Sequence, residues 1–89
     1  MRWKWTAEKN RTNQRDHGLS FATAQRAFDD PLALSRSDPH PDSDRWQTLA
    51  LVGPVILLVV HTWPEPTGRI ISARKATAHE RRAYEEARF

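Results

Sequence analysis

The residues best suited to chemistry lie near the end of the chain, in the segment 69–86 (RIISARKATAHERRAYEE). Arg69, Arg74 and Lys75 fall within seven positions, where a short apolar strand is predicted to end in a basic turn before a helix. A strand-to-helix junction holds such side chains on rigid backbone, and the free amide groups of a helix start attract anions. The pattern predicts a surface that handles phosphate.

Length and charge limit the kind of site that these residues can form. The chain of 89 residues is predicted to fold as one domain, residues 1–89, whose site is an open surface or a shallow groove. Eleven of its 14 basic residues are Arg, which suits bidentate phosphate contacts better than Lys does. Two basic stretches, residues 1–28 and 45–89, flank an acidic one. This layout favours a polyanion on one face, although many ordinary basic domains share it.

Several classes of site and compartment are disfavoured by what the sequence lacks. It has no Cys, which excludes disulfides, thiolate metal sites and a cysteine nucleophile. The longest apolar run, Leu49–Val60, has 12 residues, fewer than the roughly 20 of a membrane helix. The N-terminus has no apolar signal-peptide region, so we expect a cytoplasmic protein without membrane contact. Outside the loop of residues 36–44, no His pair or acidic cluster has metal-ligand spacing, and no cofactor is expected.

Local signals predict the elements that position the basic residues. Thr6, Ser20 and Thr77 are typical helix N-caps, and Gly18 is a typical helix stop. Thr77 and Glu80 form the capping-box pattern T-x-x-E. The predicted elements are a strand (2–5), helices (7–17 and 21–28), a brief strand (32–35), an exposed loop (36–44), strands (45–52 and 55–63), a turn through residue 68, a last strand (69–72) and a helix from 77.

The order of these elements defines the fold class. Gly53 can take the positive φ of a tight turn between residues 45–52 and 55–63, which predicts a β-hairpin. Hairpin connections require mostly antiparallel pairing. The prediction is an α+β fold: a short N-terminal strand and two helices, then a mostly antiparallel sheet of about four strands, then a C-terminal helix.

Three segments of the chain also resemble a known family, the BrnT toxins. They are KNRTNQRDHGLSFATAQRAFDDP near the front, RW before the hairpin, and RIISARKA followed by ERRAYEE at the back. The resemblance runs from about Trp5 to Tyr84 in the same order. It implies a RelE-like endoribonuclease toxin of a bacterial type II toxin-antitoxin system, which cleaves RNA, inhibits translation and is neutralised by a BrnA-like antitoxin. That antitoxin carries a DNA-binding domain, so the toxin is expected to contact DNA only indirectly, through the antitoxin.

Metal-free RNA cleavage defines what the catalytic residues must supply. The ribose 2′-hydroxyl attacks the adjacent phosphate in line, which requires a base, an acid for the departing 5′-oxygen and cations for the charge on the phosphoryl oxygens. The resemblance places Arg74 in the ISARKA motif, where it either clamps the transition state or pairs with an acid of the first two helices. Arg69 is either a phosphate contact or a charge on a solvated edge. His61 is either an acid or base, given its ordinary pKa of about 6.5, or a packed residue of a buried strand.

Four residues of the sheet and last helix are candidates for RNA contact. Lys75 either binds phosphate or is simply exposed beside a helix start. Arg45 with Trp46 offers a cation and a stacking surface for a base, or only begins the hairpin. Tyr84 either donates a hydrogen bond to phosphate or packs its ring on the sheet.

The first helix presents an unusual polar face for RNA contact. Lys9, Asn13 and His17 recur at i, i+4 and i+8 in a helix with almost no apolar residues. They either border the RNA groove or make local hydrogen bonds. Glu80 is a possible base, although its place in the capping box explains it without catalysis.

The sequence is also compatible with two other function classes. A non-catalytic nucleic-acid-binding module would use the same arginines, bind in a strongly salt-dependent way and give no cleaved product. A toxin homologue without activity, acting only as co-regulator with its antitoxin, would bind the antitoxin tightly and RNA hardly at all.

Overall fold

A mixed β-sheet forms the centre of the protein. The computed structural model describes residues 2–39, 44–62 and 67–89, and all counts below refer to these residues. The five strands are β1 (Arg2–Lys4), β2 (Leu34–Ser37), β3 (Arg45–Val52), β4 (Val55–Thr62) and β5 (Thr67–Lys75). They lie in the order β1-β5-β4-β3-β2, with β1 parallel to β5 and the other pairs antiparallel. The predicted α+β class is confirmed.

The helices begin after their predicted N-caps and α1 ends at Gly18, but the predicted helix of residues 21–28 is a short α-helix followed by a 3₁₀ helix. They are α1 (Ala7–His17), α2 (Phe21–Ala24) with a following 3₁₀ helix (Gln25–Asp29), and α3 (Ala78–Glu86). Thr6 Oγ1 accepts from the Lys9 amide at 3.2 Å, and Gly18 ends α1 with φ 69°. At α3, Thr77 Oγ1 accepts from the Glu80 amide at 3.2 Å, while the Glu80 carboxylate accepts from the Thr77 amide at 2.9 Å. The capping box is therefore confirmed.

The strands confirm the hairpin but differ from prediction at two places. Val52 pairs with Val55 across the turn, and Gly53 has φ 57°. β2 begins at Leu34 instead of residue 32, because the Asp30 carboxylate accepts from the Leu32 amide at 2.9 Å and turns the chain there. β5 extends well beyond residues 69–72. Residues 36–37 of the predicted loop and residues 67–68 of the predicted turn belong to β2 and β5 instead. The rest of the loop and turn lies partly outside the described residues, and Trp63, the last residue of the predicted strand 55–63, lies wholly outside them.

The polar helix α1 is attached by hydrogen bonds in place of an apolar stripe. Its one buried residue is Asn13, whose Oδ1 accepts from the Ala73 amide of β5 at 3.0 Å. The side-chain amide of Asn13 donates to the Leu19 carbonyl at 2.9 Å, and Asn10 Oδ1 accepts from the Phe21 amide at 2.9 Å. β1 pairs with β5 only up to Arg69, so α1 covers the edge of β5 that β1 leaves free.

Two apolar clusters cover the two faces of the sheet. The larger lies under α2 and the 3₁₀ helix, and its fully buried members include Phe21, Val59 and Ile70. The smaller joins Leu49 and Leu58 to α3 through the partly buried residues Ile56, Ala83, Tyr84 and Phe89. No residue of α3 is buried, so this helix leaves much of its sheet face uncovered. No helix among the described residues is long and apolar enough to cross a membrane.

Candidate nucleic-acid interface

One face of the sheet carries Arg45, Arg69 and Arg74, and we call it the arginine face. Side chains alternate between faces along a strand. Arg74 pairs with Leu58 of the α3 cluster, and Arg45 pairs with Thr62, which is four residues along the same strand face from Leu58. The opposite face, which packs on α2, carries Val59 and is called the helix face below.

A β-bulge brings Arg69 to the arginine face. Val60 pairs with Ser72 but His61 pairs with Ile70, so β5 has one extra residue, Ile71, at this point. In a regular strand Ile70 and Ala73 would point to opposite faces, yet both are fully buried in the helix-face core. The extra residue therefore reverses the alternation, and Arg69 points away from that core.

The bulge creates a small cationic cavity at the end of the arginine face. The cavity, of about 230 Å³, is lined by Lys9, Asp44, Arg45, Thr62, Arg69 and Ile71. Thr62 Oγ1 accepts from the Arg69 amide at 2.9 Å, which fixes the backbone beside the bulge. The Arg45 Nε atom is buried without a hydrogen-bond partner among the described residues. The lining thus combines three cations with one acid, Asp44, and one of the cations keeps a donor without a partner among the described residues.

Arg74 lies farther along the same face in an ion pair. Its Nη1 and Nη2 atoms donate to the two carboxylate oxygens of Glu80 at 2.8 and 3.0 Å. The hydrogen bond to Arg74 holds the pKa of Glu80 below its ordinary value, and the same bond raises the pKa of Arg74. The predicted alternative of an ion pair is thus present, but with α3 and not with the first two helices.

The basic residues near the chain end do not form one compact turn. Arg74 and Lys75 both lie within β5, where Lys75 pairs with Leu57 of the helix face and so points away from Arg74. Arg69 and Arg74 share the arginine face but are separated by roughly 15 Å of strand. This separation suits contact with different phosphates of one RNA strand.

His61 lies on the helix face and is fully buried. Its Nδ1 donates to the Thr62 carbonyl at 3.0 Å, and its Nε2 lies 2.6 Å from Thr48 Oγ1. Burial lowers the pKa of His61, and the Thr62 contact opposes this only in part, which favours the neutral ring. Its ring lies nearly perpendicular to the stacked rings of Trp3 and Phe28, with interplanar angles of 89° and 84°. From this position the ring cannot reach a phosphate on the arginine face, and the mechanism proposed below does not use it.

Three candidate RNA contacts take positions that favour their structural alternatives. Trp46 pairs with His61 and therefore points away from Arg45, so the two do not form one cation-and-stacking unit. Both ends of the Asn13 amide are bonded inside the protein. The Tyr84 hydroxyl donates to Asp30 Oδ2 at 2.6 Å while its ring packs in the α3 cluster.

Lys9 and His17 keep exposed positions beside the arginine face. A second cavity, of about 320 Å³, is lined by Glu8, Lys9, Thr12, Asn13, Asp16, His17, Ile71 and Ser72. Ser72 is two residues from Arg74 on β5, so this cavity adjoins the arginine face along the edge covered by α1. Lys9 lines both cavities and connects them.

Two features could not be predicted from the sequence, because each depends on how separate elements pack together. Glu80 was predicted as a helix cap, with a catalytic base as the alternative, and nothing in its local spacing indicates the bond to Arg74. Asp30 accepts from the amides of Leu32 and Leu51 at 2.9 and 2.8 Å as well as from Tyr84. Burial alone would raise the pKa of Asp30, but these three hydrogen bonds outweigh it and the net shift is downward.

We expect Tyr84→Phe to lower the free energy of unfolding by about 1 kcal/mol at neutral pH, because the ring is kept and one hydrogen bond to a carboxylate is lost. The bond raises the pKa of Tyr84 from 10.0 to about 12. Its contribution is therefore complete below pH 10 and is lost as the pH rises toward 12. Urea unfolding at about pH 8 and about pH 11 measures this. An equal alkaline loss in wild type and variant would contradict it.

The fold and the arginine face define a small α+β protein with a cationic surface suited to phosphate. Among the described residues, no group of three or more His, Asp or Glu side chains is placed to hold a metal ion. Comparison with protein families matches residues 5–80 to the ribonuclease toxin, BrnT, of type II toxin-antitoxin systems. The chain belongs to this family, which implies an RNA substrate and an antitoxin partner. Comparison with curated proteins gives no significant match.

Proposed function

We propose that the protein is an endoribonuclease toxin that cleaves single-stranded RNA bound along its arginine face. The observation that carries the proposal is the alignment of Arg45, Arg69 and Arg74 on one sheet face, which the bulge of β5 makes possible. Family membership supports RNA as the substrate. Cleavage of messenger RNA in the cytoplasm would inhibit translation.

In the proposed reaction the ribose 2′-hydroxyl attacks the adjacent phosphorus and the bond to the 5′-oxygen breaks. Arg74 stabilises the negative charge that grows on the phosphoryl oxygens, which is the role of preorganised donors in such sites. Its charge does not titrate near neutral pH. No step in this scheme uses a metal ion. His17, exposed on the α1 side of the face, is better placed than the buried His61 to exchange a proton with RNA.

The small cavity at the opposite end of the arginine face from Arg74 is the proposed phosphate-binding site. Arg45, Arg69 and Lys9 line it, and the Arg45 Nε atom still has a hydrogen bond to give. Phosphates bound there would fix the register of the RNA strand relative to Arg74. These contacts are electrostatic and would carry affinity more than sequence preference.

The same surface is the proposed docking site of the antitoxin. A BrnA-like antitoxin that covered the arginine face with acidic side chains would exclude RNA directly. Its own DNA-binding domain would then be the only part of the complex that contacts DNA.

The test compares RNA binding and cleavage by the wild type with Arg45→Ala and Arg69→Ala. Each removed phosphate contact should weaken binding and reduce the slope of log affinity against log salt by about 0.7. Arg11→Ala is the matched control, because Arg11 is an exposed arginine on α1 that lines neither cavity. Antitoxin affinity of the same proteins gives a second readout, which should fall for the first two variants only.

Three outcomes would contradict the proposal in different ways. Salt-dependent binding without a cleaved product would support a non-catalytic binding module. Tight antitoxin binding with neither RNA binding nor cleavage would support a partner-only homologue. An equal effect of all three substitutions would mean that affinity follows net charge and not the arginine face.

A further inference from the structure

The ion pair of Arg74 and Glu80 uses only part of the guanidinium group. A guanidinium has five N–H donors in a fixed planar fork. Glu80 takes one from Nη1 and one from Nη2, and the Lys75 carbonyl accepts from Nη1 at 3.3 Å. The Nε–H and the second Nη2–H remain without a partner among the described residues.

These two remaining donors lie side by side on one edge of the guanidinium plane. Such an edge can bind two oxygens of one phosphate with parallel hydrogen bonds. The Arg74 side chain is 38% exposed, against 14% for Glu80. Glu80 thus binds the end of the fork from the buried side, and the more exposed partner keeps a complete bidentate edge.

Glu80 is itself held in place by the start of α3. Its Oε1 atom accepts from the Thr77 amide at 2.9 Å as well as from Arg74 Nη1 at 2.8 Å. The carboxylate is therefore fixed by the capping box, and Arg74 is fixed by the carboxylate. The first turn of α3 therefore sets the orientation of the guanidinium plane.

We propose that Glu80 is a positioning residue, which orients Arg74 so that its Nε–Nη2 edge meets the phosphate that is cleaved. The proposal rests on the proposed function, since it requires Arg74 to act on RNA. This role differs from that of a carboxylate that competes with the RNA phosphate for Arg74. A competitor would block the whole fork, whereas Glu80 leaves one edge open.

The experiment is a double-mutant cycle on kcat with single-stranded RNA. Glu80→Gln keeps an oxygen for the cap but loses the charge and the second acceptor, so we expect kcat to fall about 10- to 100-fold through misorientation of Arg74. The substrate KM should change little. In an Arg74→Ala background the same substitution should have no further effect on kcat, because Glu80 then has nothing to orient.

Two further variants separate orientation from folding. Thr77→Ala removes the cap hydroxyl but keeps the backbone amide that holds the Glu80 carboxylate, so it should lower stability and leave kcat per folded molecule near the wild-type value. Arg74→Lys keeps the charge but has no bidentate edge, so its kcat should fall nearly as far as that of Arg74→Ala. This second variant tests the edge even if Glu80→Gln folds poorly.

Three results would overturn the inference. One is a rise of kcat in Glu80→Gln, which would identify Glu80 as a competitor. The second is an equal effect of Glu80→Gln in both Arg74 backgrounds, which would make its role independent of Arg74. The third is full activity of Arg74→Lys. A folded wild type that leaves RNA intact would overturn the proposed function itself, and the inference with it.

Discussion

Replacing Arg74 with alanine is expected to lower kcat for RNA cleavage by about 100- to 1,000-fold. Loss of one preorganised donor to a developing oxyanion typically has an effect of this size. The affinity for RNA should change much less, because the proposed phosphate contacts of Arg45, Arg69 and Lys9 lie at the other end of the face and are kept. Single-turnover cleavage and equilibrium binding of a non-cleavable RNA measure the two quantities separately.

The control for this prediction must account for the loss of the ion pair. Without Arg74, Glu80 keeps its bond to the Thr77 amide but loses both hydrogen bonds to the guanidinium. Folded protein should therefore be quantified for every variant, and Arg82→Ala, at an exposed position of α3, gives the matched change of charge. Induced expression should arrest growth and degrade RNA for the wild type and Arg82→Ala only. Cleavage that survives in Arg74→Ala would place the chemistry elsewhere.

The sequence predicted those parts of the fold that are specified by neighbouring residues. Thr6, Gly18 and Thr77 act on backbone groups within a few positions, so the limits of α1 and the start of α3 could be inferred from spacing alone. The hairpin turn depends on Gly53 and its adjacent strands, and it too was predicted correctly.

The site was harder to predict because its geometry depends on pairing between distant residues. The end of β5 is set by its partner β4, so a strand predicted to stop at residue 72 continues through Arg74 and Lys75. The bulge at Ile71 has no glycine or proline to mark it, yet it decides the face on which Arg69 lies. The sequence thus indicated which residues carry charge but not which of them share a face.

Replacing Asn13 with alanine is expected to lower the free energy of unfolding by about 3 kcal/mol. The substitution removes one partner each from the Ala73 amide and the Leu19 carbonyl, and a buried polar group left unpaired costs about 1–3 kcal/mol. A loss of that size is a large fraction of the total for a small domain. Urea unfolding measures it, and Gln14→Ala, at an exposed position of the same helix, should change stability by less than about 0.5 kcal/mol.

The same variant decides between the two interpretations of the polar face of α1. If Asn13 serves only to attach α1 to the free edge of β5, the folded fraction of Asn13→Ala should bind RNA as the wild type does. Lys9→Ala should show the reverse, with weaker binding and little change in stability, because Lys9 is exposed and lines both cavities. A stable Asn13→Ala protein with weakened RNA binding would instead show that the asparagine contacts RNA. If both expectations are met, two separate requirements explain the polarity of this helix: the buried Asn13 amide satisfies the sheet edge, and the exposed side chains beside it contact the RNA.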